Sequence, residues 1–199
     1  SIGEGRAAHA AGCDVLVAQG DEAGGHRGVF DPDTPDARLG TLALVRAVRD
    51  AVPLPVIAAG GIMDGAAIAA ALDAGAIAAQ LGTAFVACPE SAASAAHRAA
   101  LLAGDAARTT MVRAISGRPA RSLENRFTAL AASALAGLPA PDYPVAYDAG
   151  KALHAVASAA GEHGYGAWWA GTGAPRARAL PAGALVATLV RELAAARAR

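Results

Sequence analysis

Three short apolar runs, each ending on glycine, constrain the fold of this chain more than any other feature. The first is Val15, Leu16, Val17 and Ala18, which passes through Gln19 into the loop Gly20 to Gly28. The second is Val56 to Ala59, bounded by Pro53 and Pro55 before it and by Gly60 and Gly61 after it. The third is Ile77 to Leu81, followed by Gly82 and Thr83. Nearly continuous apolar runs of this length are what parallel strands buried on both faces require. Helix-forming segments lie between them. Thr41 to Ala51 is amphipathic, with Leu42, Val45, Ala47 and Val48 turned inward and Arg46, Arg49 and Asp50 turned outward. Ala66 to Ala74 is the next helix, closed by Gly75. Strand, glycine loop and helix recur with a period of roughly 20 to 40 residues, the pattern of parallel βα units in an α/β fold.

The flanks extend this pattern. Ser1 and Glu4 stand in capping-box register and Gly12 is a natural helix stop, so Ser1 to Gly12 reads as the end of a βα unit. The chain opens on Ser1 rather than Met, partway into a helical pattern, so its natural start is expected upstream. Val29 to Gly40 is rich in Pro and Asp and reads as irregular. From Pro89 the character changes. Helices are predicted over Ser91 to Leu102, Leu123 to Leu135 and Lys151 to Ala160, and a last one starts at Pro181. Thr109 to Ile115 reads as extended and Ser116 to Arg121 as a polar turn. Gly137 to Tyr147 and Gly161 to Pro175 read as loops. The division this implies is 1–104 for the strand–helix part and 105–199 for a smaller, mainly helical domain with the C-terminal helix.

Charge and composition remove several function classes. Seventeen Lys and Arg balance 17 Asp and Glu, so no basic stripe points to nucleic acid. No apolar run approaches the ~18 residues needed to span a bilayer. No signal peptide is visible, and Cys13 and Cys88 lie far apart with no CxxC pattern. A reducing, cytoplasmic setting follows as the expectation.

In parallel βα architectures ligands gather at the C-terminal ends of the strands. Three such ends are visible, at Gln19-Gly20, Gly60-Gly61 and Gly82-Thr83. In a (β/α)8 barrel the loops after the last two strands often hold a phosphate, and the two glycine pairs suit that role. Their N–H groups can approach an anion with no Cβ in the way, and Thr83 adds a hydroxyl donor. The competing reading is that such glycines only permit tight βα turns. The first loop carries Gly20, Gly24, Gly25 and Gly28 around a single histidine, His26. It reads either as a site that brings imidazole and backbone to a bound molecule, or as a surface turn whose histidine faces water. Glu22, four residues earlier, is a candidate to orient the ring. Trp168 and Trp169 either cover a ring-shaped ligand or fill a hydrophobic seam. His9, His97 and His154 read as solvent-facing or packed, and His163, in a glycine-rich turn, is uninformative. No HExxH, GxSxG or P-loop spacing occurs, and no metal site is expected.

Four stretches together carry a resemblance: AQGDEAGGHRG (Ala18 to Gly28), PVIAAGGIMDG (Pro55 to Gly65), QLGTAFVACPES (Gln80 to Ser91) and SGRPAR (Ser116 to Arg121). In order and spacing they resemble the nitronate monooxygenases, also called 2-nitropropane dioxygenases. The resemblance implies an FMN enzyme on a TIM barrel, (β/α)8, of which roughly the last three βα units are present here, plus a smaller mainly helical domain. It implies that His26 is the active-site histidine. Gln19 and Gly20 would lie beside the isoalloxazine, with Gly25 in the same loop, and Gly60, Gly61, Gly82 and Thr83 would hold the FMN phosphate. The implied reaction is oxidation of an alkyl nitronate, such as propionate 3-nitronate, or of a nitroalkane, by molecular oxygen. A homodimer is compatible with it, and neither nucleic acid nor a membrane is an expected partner.

Two departures accompany the match. The family's barrel opens with about five further strands that also contribute to the flavin site. Thr172 stands where relatives usually carry glutamine. A three-strand remnant leaves two open sheet edges and one uncovered apolar face, so the isolated chain is expected to fold poorly, bind FMN weakly and aggregate. Rival readings remain. A flavin-dependent enoyl-acyl-carrier-protein reductase carries a similar EAGGH loop, a quinone reductase is compatible with the scaffold, and a non-catalytic remnant would keep the pattern without the chemistry.

Overall fold

The computed structural model describes residues 1–104 and 107–198. Its centre is a three-stranded parallel sheet of β1 (Leu16–Gln19), β3 (Val56–Ala59) and β4 (Ala78–Gln80), in the order β1-β3-β4. Register places Leu16 beside Val56, and Ala58 between Ala18 and Ala79. All three strand ends therefore reach one edge of the sheet together. Helix α1 (Ile2–Ala10) starts at Ser1, whose side chain and Glu4 form the expected capping box. Helix α2 (Thr41–Ala51) has the predicted bounds, and α3 (Gly65–Asp73) is capped by Asp64, whose carboxylate accepts from the Ala67 amide. Leu44, Val45 and Val48 of α2 pack on Ala18, Val56 and Ala58 to form the main core.

Burial agrees with the one uncovered apolar face expected of a three-strand remnant. Helices cover the side of Leu16, Ala18, Val56 and Ala58, whereas Val17 is 48% exposed on the other side, with Ile57 and Ala78 beside it in register. Both faces are apolar in sequence, but among the described residues only one has helices against it.

A second sheet was not foreseen. It is antiparallel, in the order β2-β6-β5: β2 (Gly25–His26), β5 (Thr109–Val112) and β6 (Ala120–Leu123). The polar turn expected over Ser116 to Arg121 therefore stops at Pro119. Ala120, Arg121 and Ser122 enter a strand whose four residues are all buried. Leu123, read as the start of a helix, ends that strand. The helix that follows, α6 (Arg126–Ala132), begins behind an Asn125 capping box with Thr128. The remaining helices are α4 (Thr83–Val86), α5 (Ala95–Leu101), α7 (Val145–Ala159) and α8 (Ala182–Arg197). Helix α7 takes three residues from the stretch read as loop. Nothing in that stretch after Pro144 breaks a helix, so α7 runs back to the proline.

The expected division after residue 104 falls at residues 105 and 106, outside the described residues. The segments on either side of it are joined through the second sheet, where β2 pairs with β6. They also meet where α8 crosses α3. A Cβ on Gly65 would sit 2.1 Å from the Leu193 amide nitrogen, so only glycine admits this crossing. Glu192 Oε2 accepts from the Gly65 amide at 3.0 Å, and Arg178 Nη1 donates to the other oxygen at 2.6 Å. Leu185 and Leu189 pack there on Met63, Ala84 and Cys88. Among the described residues no helix is long and apolar enough to cross a membrane.

Candidate active site

The loop after β1 is a braced arch rather than a flexible turn. Gln19 closes it: its Nε2 donates to the His26 carbonyl at 2.9 Å and its Oε1 accepts from the Gly28 amide at 2.6 Å. The buried Arg27 guanidinium donates to the Gly20 carbonyl at 2.6 Å and to Asp36 at 2.8 Å. Arg121, also buried, donates to both the carbonyl and the carboxylate of Asp21, each at 3.0 Å. A Cβ on Gly24 would lie 2.5 Å from the backbone at Ala170 and Gly171, which fixes the arch against the later glycine-rich loop. Glu22 does not orient His26. Its Oε2 accepts from the Thr41 amide at 2.8 Å and hydroxyl at 2.9 Å, so it caps the start of α2.

β2 presents the half-buried His26 to a set of side chains from distant parts of the chain. Its Nε2 lies 2.8 Å from the Oγ of Ser116, a fully buried residue. Trp169 stands with its ring centroid 5.2 Å away, and Tyr143 and Tyr147 meet the imidazole edge-on at 5.4 and 5.7 Å. Burial, and then the Arg118 cation, hold the His26 pKa below the ordinary histidine value. The ring is therefore neutral near pH 7. Nδ1 has no hydrogen-bond partner among the described residues and is the nitrogen left to take a proton.

The strand ends enclose a cavity of about 300 Å³. Gln19, Gly60, Gly61, Gly82 and Thr83 line it, and so does Trp169. Trp169 thus belongs both to this cavity and to the surroundings of His26. The amides of Gly61, Gly82 and Thr83 have no partner among the described residues. Thr83 Oγ1 accepts from the Gly171 amide at 2.9 Å, which leaves its own proton free to donate. Open space lies where a Gly82 Cβ would be. A cradle of unpaired amides with no side chain in the way is the donor set an anionic group such as a phosphate requires.

His26 is not on the lining of this cavity, and two of the expected cofactor-binding residues also stand outside it. Gly20 packs on α2, where a Cβ would meet Thr41 Oγ1 at 2.1 Å, and Gly25 begins β2 with φ of +78°. The role of Gly20 in the structure is packing; that of Gly25 is to turn the chain into the strand that carries His26. Thr172 is not on the cavity lining either; its amide donates to the Glu22 carbonyl at 2.9 Å. Trp168 points elsewhere and stacks on His97. Sequence reasoning missed Ser116, Tyr143 and Tyr147. SGRPAR was visible as a motif, but nothing in it shows that its serine meets a histidine 90 positions earlier. A larger cavity, of about 510 Å³, lies between α1 and the 28–39 loop, but its lining holds neither His26 nor the strand-end glycines. No group of three or more His, Cys, Asp or Glu able to hold a metal ion occurs among the described residues.

Comparison with known proteins gives this geometry a family. A family model described as nitronate monooxygenase matches residues 1–192. A nitronate monooxygenase of Paraburkholderia phytofirmans is 65% identical over 184 residues, 92% of this chain and 50% of its own length. One from Pseudomonas aeruginosa is 58% identical, over 92% of this chain and 52% of its own. Among solved structures, a nitroalkane oxidase from Streptomyces ansochromogenes superposes with a TM-score of 0.92 at 48% identity, covering all of this chain and 56% of that one. FabK from Thermotoga maritima superposes with a TM-score of 0.80 at 28% identity, over all of this chain and 60% of that one. The chain belongs to the nitronate monooxygenase family, and its fold is the α/β fold of these neighbours. It spans about half the length of the curated relatives it matches.

Proposed function

We propose that this chain carries the histidine and the cofactor cradle of a flavoenzyme that oxidises alkyl nitronates with molecular oxygen. The observation that carries this reading is the meeting of two features at Trp169: a cavity walled by unpaired strand-end amides, and a neutral imidazole held by Ser116. FMN is the cofactor that fits, with its phosphate on the amides of Gly61, Gly82 and Thr83 and its ring system toward Gln19 and Trp169. Bound there, FMN supplies the one-electron chemistry between an anionic nitronate and oxygen.

The protein side of the reaction follows from the residues. Nδ1 of His26 takes the α-proton when the substrate arrives as a neutral nitroalkane. Once protonated, the imidazole lies beside the nitronate and stabilises its negative charge. Ser116 holds the ring in place throughout, and Tyr143, Tyr147 and Trp169 exclude water from it. In this reading residues 1–104 belong to the barrel. Residues 105–199 form the smaller domain that brings Ser116, the two tyrosines and Trp169 to His26.

Oxygen uptake with propionate 3-nitronate or a nitroalkane, measured on flavin-loaded protein, tests the proposal. Uptake that depends on His26 supports it, and uptake with a nitroalkane that is unchanged in His26→Asn removes the histidine from the mechanism. The EAGGH loop, Glu22 to His26, also fits an NAD(P)H-using flavin reductase. Anaerobic mixing with NADH or NADPH separates the two: rapid bleaching of the flavin marks a reductase, and a persistent yellow colour marks the monooxygenase.

A further inference from the structure

Behind Tyr147 lies a separate cavity of about 250 Å³, bounded by residues of α5, α7 and the Gly166 to Trp168 stretch. Two buried polar atoms of its lining residues have no hydrogen-bond partner among the described residues: Nε2 of His97 and Nε1 of Trp168. Their rings are nearly parallel, at 7°, with centroids 6.0 Å apart. An indole N–H can only donate, and leaving it buried without an acceptor is costly. Burial also pushes the His97 pKa down, so that its ring is a neutral hydrogen-bonding group. Lys151 lines the same cavity from its exposed rim, where its ammonium meets Asp148 at 2.7 Å and sits over the Tyr147 ring at 5.0 Å. His154 is another lining residue, with Nδ1 3.3 Å from the Ser158 hydroxyl.

The lining carries donors and a cation but no carboxylate of its own. It holds an indole donor, imidazole nitrogens and an ammonium. The two buried ring nitrogens lack an acceptor among the described residues, and the Lys151 ammonium, paired with Asp148 at the rim, can share its charge with a second carboxylate. Ile115 and Ala167 add apolar wall, enough for a short carbon chain. We propose that this cavity is a binding site for a small monocarboxylate. Its carboxylate accepts from Trp168 Nε1 and His97 Nε2, Lys151 supplies the countercharge, and the carbon chain lies against Ile115 and Ala167. The site does not depend on the flavin reading, because none of its polar groups lines the strand-end cavity.

The chain has two tryptophans, so its ¹H–¹⁵N spectrum has two indole cross-peaks, which a Trp169→Phe variant assigns. Sodium propionate is titrated into the full chain, with sodium chloride and the uncharged isostere propionamide as parallel arms. The expected result is a saturable shift of the Trp168 peak by propionate in the millimolar range. Chloride gives no shift, and propionamide binds at least about tenfold more weakly. Lys151→Met, a change at the exposed rim that leaves the core intact, weakens propionate by a similar factor. A Trp168 peak that stays still under propionate, moves equally in chloride, or responds equally to propionamide overturns the proposal. Unchanged propionate affinity in Lys151→Met does the same.

Discussion

The strand-end cavity and the surroundings of His26 meet at Trp169 yet are built in opposite ways. The cavity is made of main chain. Gly60, Gly61, Gly82 and Thr83 reach it because three parallel strands end at one sheet edge, and its chemistry is that of amides left unpaired. The histidine region is made of side chains from residues 26, 116, 143, 147 and 169, gathered by the second sheet and by α7. A backbone cradle follows from the fold and answers to changes in backbone shape. A side-chain cluster depends on each contact and answers to the loss of single groups.

The largest expected effect breaks the second region alone. His26→Asn lowers oxygen uptake with a nitroalkane by at least ~10²-fold and leaves flavin content unchanged, as absorbance of the purified protein will report. Ser116→Ala comes next. It leaves the imidazole without its buried partner, at about 1 kcal/mol for a typical hydrogen bond, which corresponds to a loss of roughly five- to tenfold in kcat/KM. The cradle is sharpened by two glycines that behave differently. Gly60 has φ of +127°, and a Cβ there would press on Thr41 Oγ1 at 2.7 Å. Gly60→Ala therefore costs about 1 to 3 kcal/mol of stability, measured by thermal unfolding. Gly82→Ala has room for its methyl and shifts stability by less than about 0.5 kcal/mol, but it crowds the amides and weakens flavin binding.

The smallest effect concerns pH. Burial and Arg118 depress the pKa of His26 in the folded protein, and burial depresses that of His97. The unfolded chain, with histidines near pKa ~6.5, binds these protons more readily. The stability they contribute is fully present above about pH 6.5 and is lost as pH falls below it. Thermal midpoints should therefore fall on acidification through that range. The acid limb of kcat/KM with a nitroalkane should lie below the ordinary histidine pKa and move upward in Arg118→Ala.

The same contrast explains what could be read in the sequence. Helix α2 and strand β3 were legible to the residue, because apolar period and proline punctuation are local signals. The strand ends that line the cavity were legible for the same reason: glycines after apolar runs mark strand ends. β2 was hidden because two residues of a glycine-rich loop carry no strand pattern, and its partner strand lies almost 100 residues later. Tyr143 and Tyr147 stood in a proline-bearing stretch with no periodicity to assign them. The uncovered sheet face was legible from the count of strands alone, and Val17, 48% exposed on it, shows an apolar strand face with nothing packed against it among the described residues.

The central claim, that bare strand-end amides grip the phosphate of a flavin, is tested most directly by comparing FMN with riboflavin. Riboflavin has the same ring system and lacks only the phosphate. Flavin fluorescence titrations of the full chain should show FMN binding at least about tenfold more tightly, a difference of about 1.4 kcal/mol. Gly82→Ala should shrink that gap by weakening FMN more than riboflavin. Equal affinity for the two flavins, with no change in Gly82→Ala, would contradict the account.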